Sequence, residues 1–142
     1  MPRPNAARPD APPVAGELTR VPFFPQERYQ CGPAALATVL AAADVPVTAE
    51  ELVPRVYLPV RRGSLQTEMI AATRQYDRVP YVLDPTLDAI AGEIQAGRPV
   101  LVLQNLGLRS LPRWHYSVVV GVDARRRELI LRSLYGDRKS VV

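Results

Sequence analysis

The chain is sparing with reactive side chains: its 142 residues hold one cysteine, one histidine, one tryptophan and two phenylalanines. A lone cysteine excludes a disulfide within the chain, and one cysteine with one histidine falls short of the usual ligand set of a zinc site. The eight glycines form neither a Gly-x-Gly-x-x-Gly nor a Walker pattern, so the sequence offers no phosphate-cradling loop. No uninterrupted apolar run reaches the length of a membrane-spanning helix. Met1–Gly16 carries charges without the apolar centre of a signal peptide, which leaves a cytoplasmic and an exported or membrane-anchored location both open.

Lysine is nearly absent too. Lys139 is the only one, so the net charge of +4 is carried by arginine. The one tight basic cluster, Arg125-Arg126-Arg127, lies between two apolar runs and has no aromatic residues interleaved for base stacking. It reads as a solvated hairpin turn, and nucleic acid is not an expected partner. What the chain does have is a normal share of core-forming residues. Hydrophobic residues at 47% and charged ones at 23% suit one globular domain large enough to bury a core.

Met1–Gly16 contains five of the fifteen prolines and almost no large apolar side chain, which predicts a disordered arm over residues 1–16 ahead of a domain over 17–142. Pro33–Ala43 is rich in Ala and Leu with little polar surface, which predicts a central, mostly buried helix. Thr48 and Glu51 match a capping box for a short helix ending before Pro54. Ser64 is positioned to cap a helix running to about Tyr76, with Leu65, Met69, Ala72 and Tyr76 on one face. Tyr81–Leu83 reads as a short strand, and Leu87–Ala96 as a helix stopped by Gly97. Strands then follow at Val100–Leu103, Tyr116–Val122 and Glu128–Leu131, the last two joined by a hairpin-length loop. Helices first and an antiparallel sheet after them make an α+β fold.

Cys31 sits where this helix begins, in Gln30-Cys31-Gly32-Pro33-Ala34-Ala35-Leu36. Proline is tolerated in a first helical turn because its missing N–H would have no partner there. The thiol would therefore lie beside unpaired backbone N–H groups and the positive end of the helix, which favour thiolate. The only histidine, His115, heads a strand-like run 84 residues later. Together they suggest a cysteine nucleophile activated by an imidazole base. A buried structural cysteine and a strand-end histidine are the plainer alternatives.

Gln26 with Cys31-Gly32-Pro33-Ala34-Ala35-Leu36, and later Trp114-His115-Tyr116 opening a Val-rich strand, resemble the papain-like bacteriocin-processing cysteine peptidases, in particular their stand-alone branch. The resemblance implies a papain-like α+β fold, with Cys31 as nucleophile, His115 as general base and acid, and Gln26 as an oxyanion-hole donor, Gln30 being its substitute. It implies no metal and no cofactor, and a peptide or protein substrate, with small residues such as Gly-Gly before the scissile bond. The family usually places an Asp or Asn on the following strand to orient the histidine. In this chain that strand reads Glu128-Leu129-Ile130-Leu131-Arg132-Ser133, without a carboxylate at that position. Ser133 is the favoured substitute and Asp137 the other, with Gln104 and Asn105 also near that part of the sheet. The family's domains normally continue with a further helix and strand, so the resemblance leads to the expectation of either a C-terminally short form or a sheet edge covered by a partner. A second expectation stands beside the peptidase: a non-catalytic domain of the same shape that binds a peptide or a partner subunit.

Overall fold

The longest β-branched run of the chain, Trp114–Asp123, forms the strand on which the fold is assembled. The computed structural model describes residues 15–18, 31–123, 125–133 and 136–141, with the backbone alone for 15–17, 133 and 136–141. Five strands make one antiparallel sheet: β1 (Ala15–Glu17), β2 (Val100–Asn105), β3 (Trp114–Asp123), β4 (Glu128–Ser133) and β5 (Gly136–Val141). β3 is long enough to take two partners along one edge. β2 pairs with its first half, from Asn105↔Trp114 to Val100↔Val119, and β1 with its far end, from Glu17↔Gly121 to Ala15↔Asp123. β4 lies along the other edge, and β5 extends the sheet beyond β4. The first strand thus begins two residues inside the segment expected to be an arm.

Among the described residues are four α-helices, α1 (Cys31–Ala42), α2 (Ala49–Val56), α3 (Gln66–Gln75) and α4 (Leu87–Gln95), of which α1 and α4 pack directly on the sheet. Among the described residues, no helix is long and apolar enough to cross a membrane. α1 has no polar face, and residues 32–38 and Leu40 are all buried, because it lies between the sheet and the pair α2 and α3. Its one buried hydroxyl, Thr38 Oγ1, is satisfied by donating to the Ala34 carbonyl at 2.9 Å. At its other end, the Arg78 guanidinium donates twice to the Ala43 carbonyl, at 3.0 and 2.9 Å, where the last carbonyls of a helix lack partners.

The alternation of side chains along β3 divides the core. Tyr116, Val118 and Val120 pack with α1, α2 and α3, while Val119 and Val122 pack with Ala91 and Ile94 of α4 on the opposite face. A shift of register between Val119 and Gly121 lets both Val120 and Val122 be buried, on different faces, although their spacing alone would place them together. Helices packed on an antiparallel sheet are the α+β, papain-like arrangement expected.

Several local expectations need correction. Pro54 lies inside α2, not beyond it. It stands near the C-terminal end of a short helix that the Thr48 side chain caps by accepting from the Glu51 N–H at 3.2 Å, and the ladder resumes with Tyr57 N–H on Val53. Tyr81–Leu83 is not a strand. Pro80 and Pro85 flank it, removing donors, and Tyr81 and Val82 stay exposed. Conversely, β5 is read from a polar stretch in which no apolar pattern announces a strand. The Arg125–Arg127 cluster is the exposed β3–β4 turn, pinned by Asp123 Oδ1 accepting from the Arg126 N–H at 3.1 Å.

Candidate active site

Cys31 is the first residue of α1 and is half-buried against the cluster that holds Tyr116 and Val118. Pro33 lies in the same first turn, where its missing donor costs no helix bond. Gly32 is there for close packing. A Cβ at this position would run into the Ser64 side chain and come within 3.7 Å of Met69 Sδ. Ser64 therefore does not cap α3 as its sequence position suggests. The N-cap is Leu65, without a side-chain bond, and the Ser64 hydroxyl is turned into the slot left by the missing Gly32 side chain. There Ser64 Oγ is buried without a hydrogen-bond partner among the described residues.

His115 is the second residue of β3 and only 8% exposed. Burial lowers its pKa from the ordinary value of 6.5, so the ring is held toward its neutral form. Gln104 of β2 lies directly opposite it in the register. The Gln104 Oε1 accepts a hydrogen bond from Ser117 Oγ at 2.9 Å, which puts Gln104, His115 and Ser117 on one face of the sheet. Tyr116, the next residue, is 5% exposed and belongs to the α1 face. Burial pushes its phenol pKa up, and nearby Cys31 and Glu68 push in the same direction. Cys31 and the head of β3 are therefore at the same end of the sheet, and Tyr116 is the β3 side chain whose face is turned toward Cys31. Neighbouring residues of a strand point to opposite faces, so Tyr116 and His115 lie on different sides of the sheet. The strict alternation Tyr116, Val118, Val120 against His115, Ser117, Val119 is the signal that separates the two.

The remaining expected site residues divide as follows. Gln26 and Gln30 lie outside the described residues. Ser133 ends β4 opposite Gly136, and Asp137 pairs with Arg132, which itself pairs with Val118; both side chains lie outside the described set. Asn105 is committed to the loop that follows it, its Oδ1 accepting from the Gly107 and Arg113 N–H groups at 2.9 Å each. Of the neutral candidates for orienting His115, Gln104 is the one that stands opposite that residue in the register.

A helix-borne thiol and a buried imidazole at one end of an antiparallel sheet are the elements of thiol-dependent acyl transfer. Comparison with family models gives a match to the Peptidase_C39 like family over residues 18–140. No curated protein and no solved structure matches the chain. The matched stretch takes in α1 with Cys31, the strand of His115 and nearly all of the sheet, and its family is one of cysteine-peptidase kind. With that span and this α+β arrangement together, the chain belongs to the Peptidase_C39-like family.

Proposed function

We propose that the protein hydrolyses a peptide bond through Cys31, with His115 as general base and then general acid and Gln26 as a donor to the oxyanion. The observation that carries this is the position of half-buried Cys31 at the start of a buried helix, at the end of the sheet where His115 opens β3. His115 takes the thiol proton, and Sγ attacks the scissile carbonyl carbon. The negative charge that develops on the carbonyl oxygen is met by the Cys31 backbone N–H and the Gln26 side-chain N–H. The intermediate collapses to a thioester as the amine leaves with the proton from His115, and water then hydrolyses the thioester with His115 again as base. A neutral imidazole is the form that can accept the first proton, and burial of His115 favours that form. Membership of the family supports a substrate with small residues, such as Gly-Gly, before the scissile bond.

A second reading, a peptide-binding domain without catalysis, is favoured by one observation: Tyr116, not His115, falls in the cluster with α1. The peptidase reading requires the His115 ring to reach Sγ around the head of β3. Because Cys31 is the only thiol, iodoacetamide labels it alone. On the peptidase reading, wild-type alkylation at pH 6 is fast and falls sharply in His115→Ala. A Gly-Gly peptide is cleaved by the wild type and left intact by Cys31→Ala. Equal alkylation rates in both proteins, with peptide bound but uncut, establish the binding domain instead.

A further inference from the structure

The connection between β2 and β3, residues 106–113, is a folded loop that holds leucines in solvent. Leu106 donates its N–H to the Arg113 carbonyl at 2.8 Å, closing the base. Leu108 and Leu111 exchange backbone bonds, both 3.1 Å, which close the tip. Asn105 Oδ1 fixes Gly107 and Arg113 from inside. Gly107 is required here, because a Cβ would collide with the Leu111 carbonyl and lie 2.9 Å from the Arg113 nitrogen. With its own polar backbone groups occupied in this way, the loop points its side chains outward. Leu108 is 70% exposed, Leu111 72% and Trp114 62%, and Leu106 is exposed beside them.

Isolated exposed leucines need no explanation, but three on one short, internally bonded loop, with exposed Trp114 at its edge, do. The charge on the loop has one sign, its charged residues being Arg109 and Arg113. Arg109 and Arg113 are exposed within the loop itself. Leucines and a tryptophan flanked by arginine are the composition that enters the boundary between lipid headgroups and acyl chains when the lipid is anionic.

We propose that the 106–113 loop, with Trp114, docks the protein on an anionic lipid bilayer, its leucines entering the interface and Arg109 and Arg113 meeting the headgroup phosphates. The internal bonds mean that little ordering entropy remains to be lost on docking. The docked orientation brings the end of the sheet that carries His115 to the lipid surface. This inference rests on the loop alone and is independent of catalysis.

Trp114 is the only tryptophan, so its emission reports the loop directly. The full chain is mixed with vesicles of phosphatidylcholine alone, and with vesicles that also contain phosphatidylglycerol. Co-sedimentation and a blue shift of Trp114 are expected with the phosphatidylglycerol vesicles and not with phosphatidylcholine alone. Leu108→Asp with Leu111→Asp lowers the partition coefficient on the order of tenfold or more, because two charges replace the inserted side chains. Arg109→Gln with Arg113→Gln lowers it by roughly fivefold for each arginine, and raised salt weakens binding of the wild type in the same direction. These side chains project into solvent, so unfolding temperatures of the variants stay at the wild-type value. Absence of binding to the phosphatidylglycerol vesicles overturns the proposal, and so does binding that survives the leucine substitutions. A blue shift produced by a soluble peptide, with none from lipid, makes the loop a peptide-docking face and overturns it equally.

Discussion

The two faces of β3 are made from the same strand and have opposite character. On one, Tyr116, Val118 and Val120 meet the helices of the N-terminal half and form a continuous apolar layer. On the other, the deep positions Val119 and Val122 are apolar against α4, but the head of the strand is polar: His115, with Ser117 and its partner Gln104. Apolar pairs exclude water along the length of the sheet, and the polar group is admitted only where the strand ends and solvent is near. The head of β3 is also where α1 begins, so the buried imidazole and the lone thiol share one end of the molecule. The difference assigns distinct parts to adjacent residues. Tyr116 is a wall on the Cys31 side, and His115 is the titrating group on the far side.

The sharpest way to break that comparison is to compare the two residues in turnover. If His115 supplies the proton transfers, His115→Ala lowers kcat by roughly two to four orders of magnitude, the usual worth of general acid–base catalysis. Tyr116→Phe keeps the buried ring and changes kcat little. The opposite result, a silent His115→Ala beside an inactive Tyr116→Phe, would reassign the chemistry to the α1 face.

The next largest effect concerns the first turn of α1. Gly32→Ala drives a methyl group into Ser64, and overpacking of a buried contact costs about 1–3 kcal/mol. Combining it with Ser64→Gly reopens the slot, so urea midpoints of the double variant should recover most of the loss. Two independent losses that simply add would mean that the two residues are not in contact. Alkylation of Cys31 in Gly32→Ala then reports whether shifting this turn also disturbs the thiol.

How much of this was legible in the sequence varies with what each residue responds to. The buried helix, the strands at Val100, Tyr116 and Glu128 and the helix stopped by Gly97 follow from apolar periodicity and glycine punctuation, both of which are local. Cys31 and His115 stood out because each is the only one of its kind. The misses have non-local causes. Ser64 looks like a cap until Gly32, thirty-two positions away in sequence, provides a slot for its hydroxyl. Tyr81–Leu83 has strand composition but no partner strand between its prolines, whereas β5 has a partner and no strand composition. Which face of β3 each aromatic or polar residue takes was present in the alternation, but it acquires meaning only when α1 is known to cover one side.

A pH titration of stability sharpens the comparison further. The His115 pKa is lowered by burial, so on acidification the unfolded chain takes up a proton near pH 6.5, while the folded protein resists it. Stability from this residue is therefore complete above about pH 6.5 and is lost as pH falls from there through the lower folded pKa. His115→Gln, which cannot titrate, should flatten that part of the profile, measured by urea midpoints from pH 7.5 down to about pH 5. A slope unchanged by the substitution would show that the polar head of β3 is not where the folded protein resists protonation.

The finest comparison separates the two partners of the Gln104–Ser117 bond. Ser117 is fully buried and Gln104 only partly, so the two truncations are not equivalent. Ser117→Ala removes the donor and leaves Gln104 near solvent that can replace it, for a loss of about 0.5–1.5 kcal/mol. Gln104→Leu keeps the bulk but leaves the Ser117 hydroxyl buried without its acceptor, and an unmade bond of that kind costs about 1–3 kcal/mol. Gln104 also stands opposite His115, so Gln104→Leu should change kcat and its pH profile if this side chain orients the imidazole, whereas Ser117→Ala should leave both nearly as they were. Equal pH profiles for the two variants would assign the bond to stability alone and move the orienting role to Ser133 or Asp137. In that case Ser133→Asp raises turnover if Ser133 is the orienting residue, and Asp137→Asn abolishes it if Asp137 is.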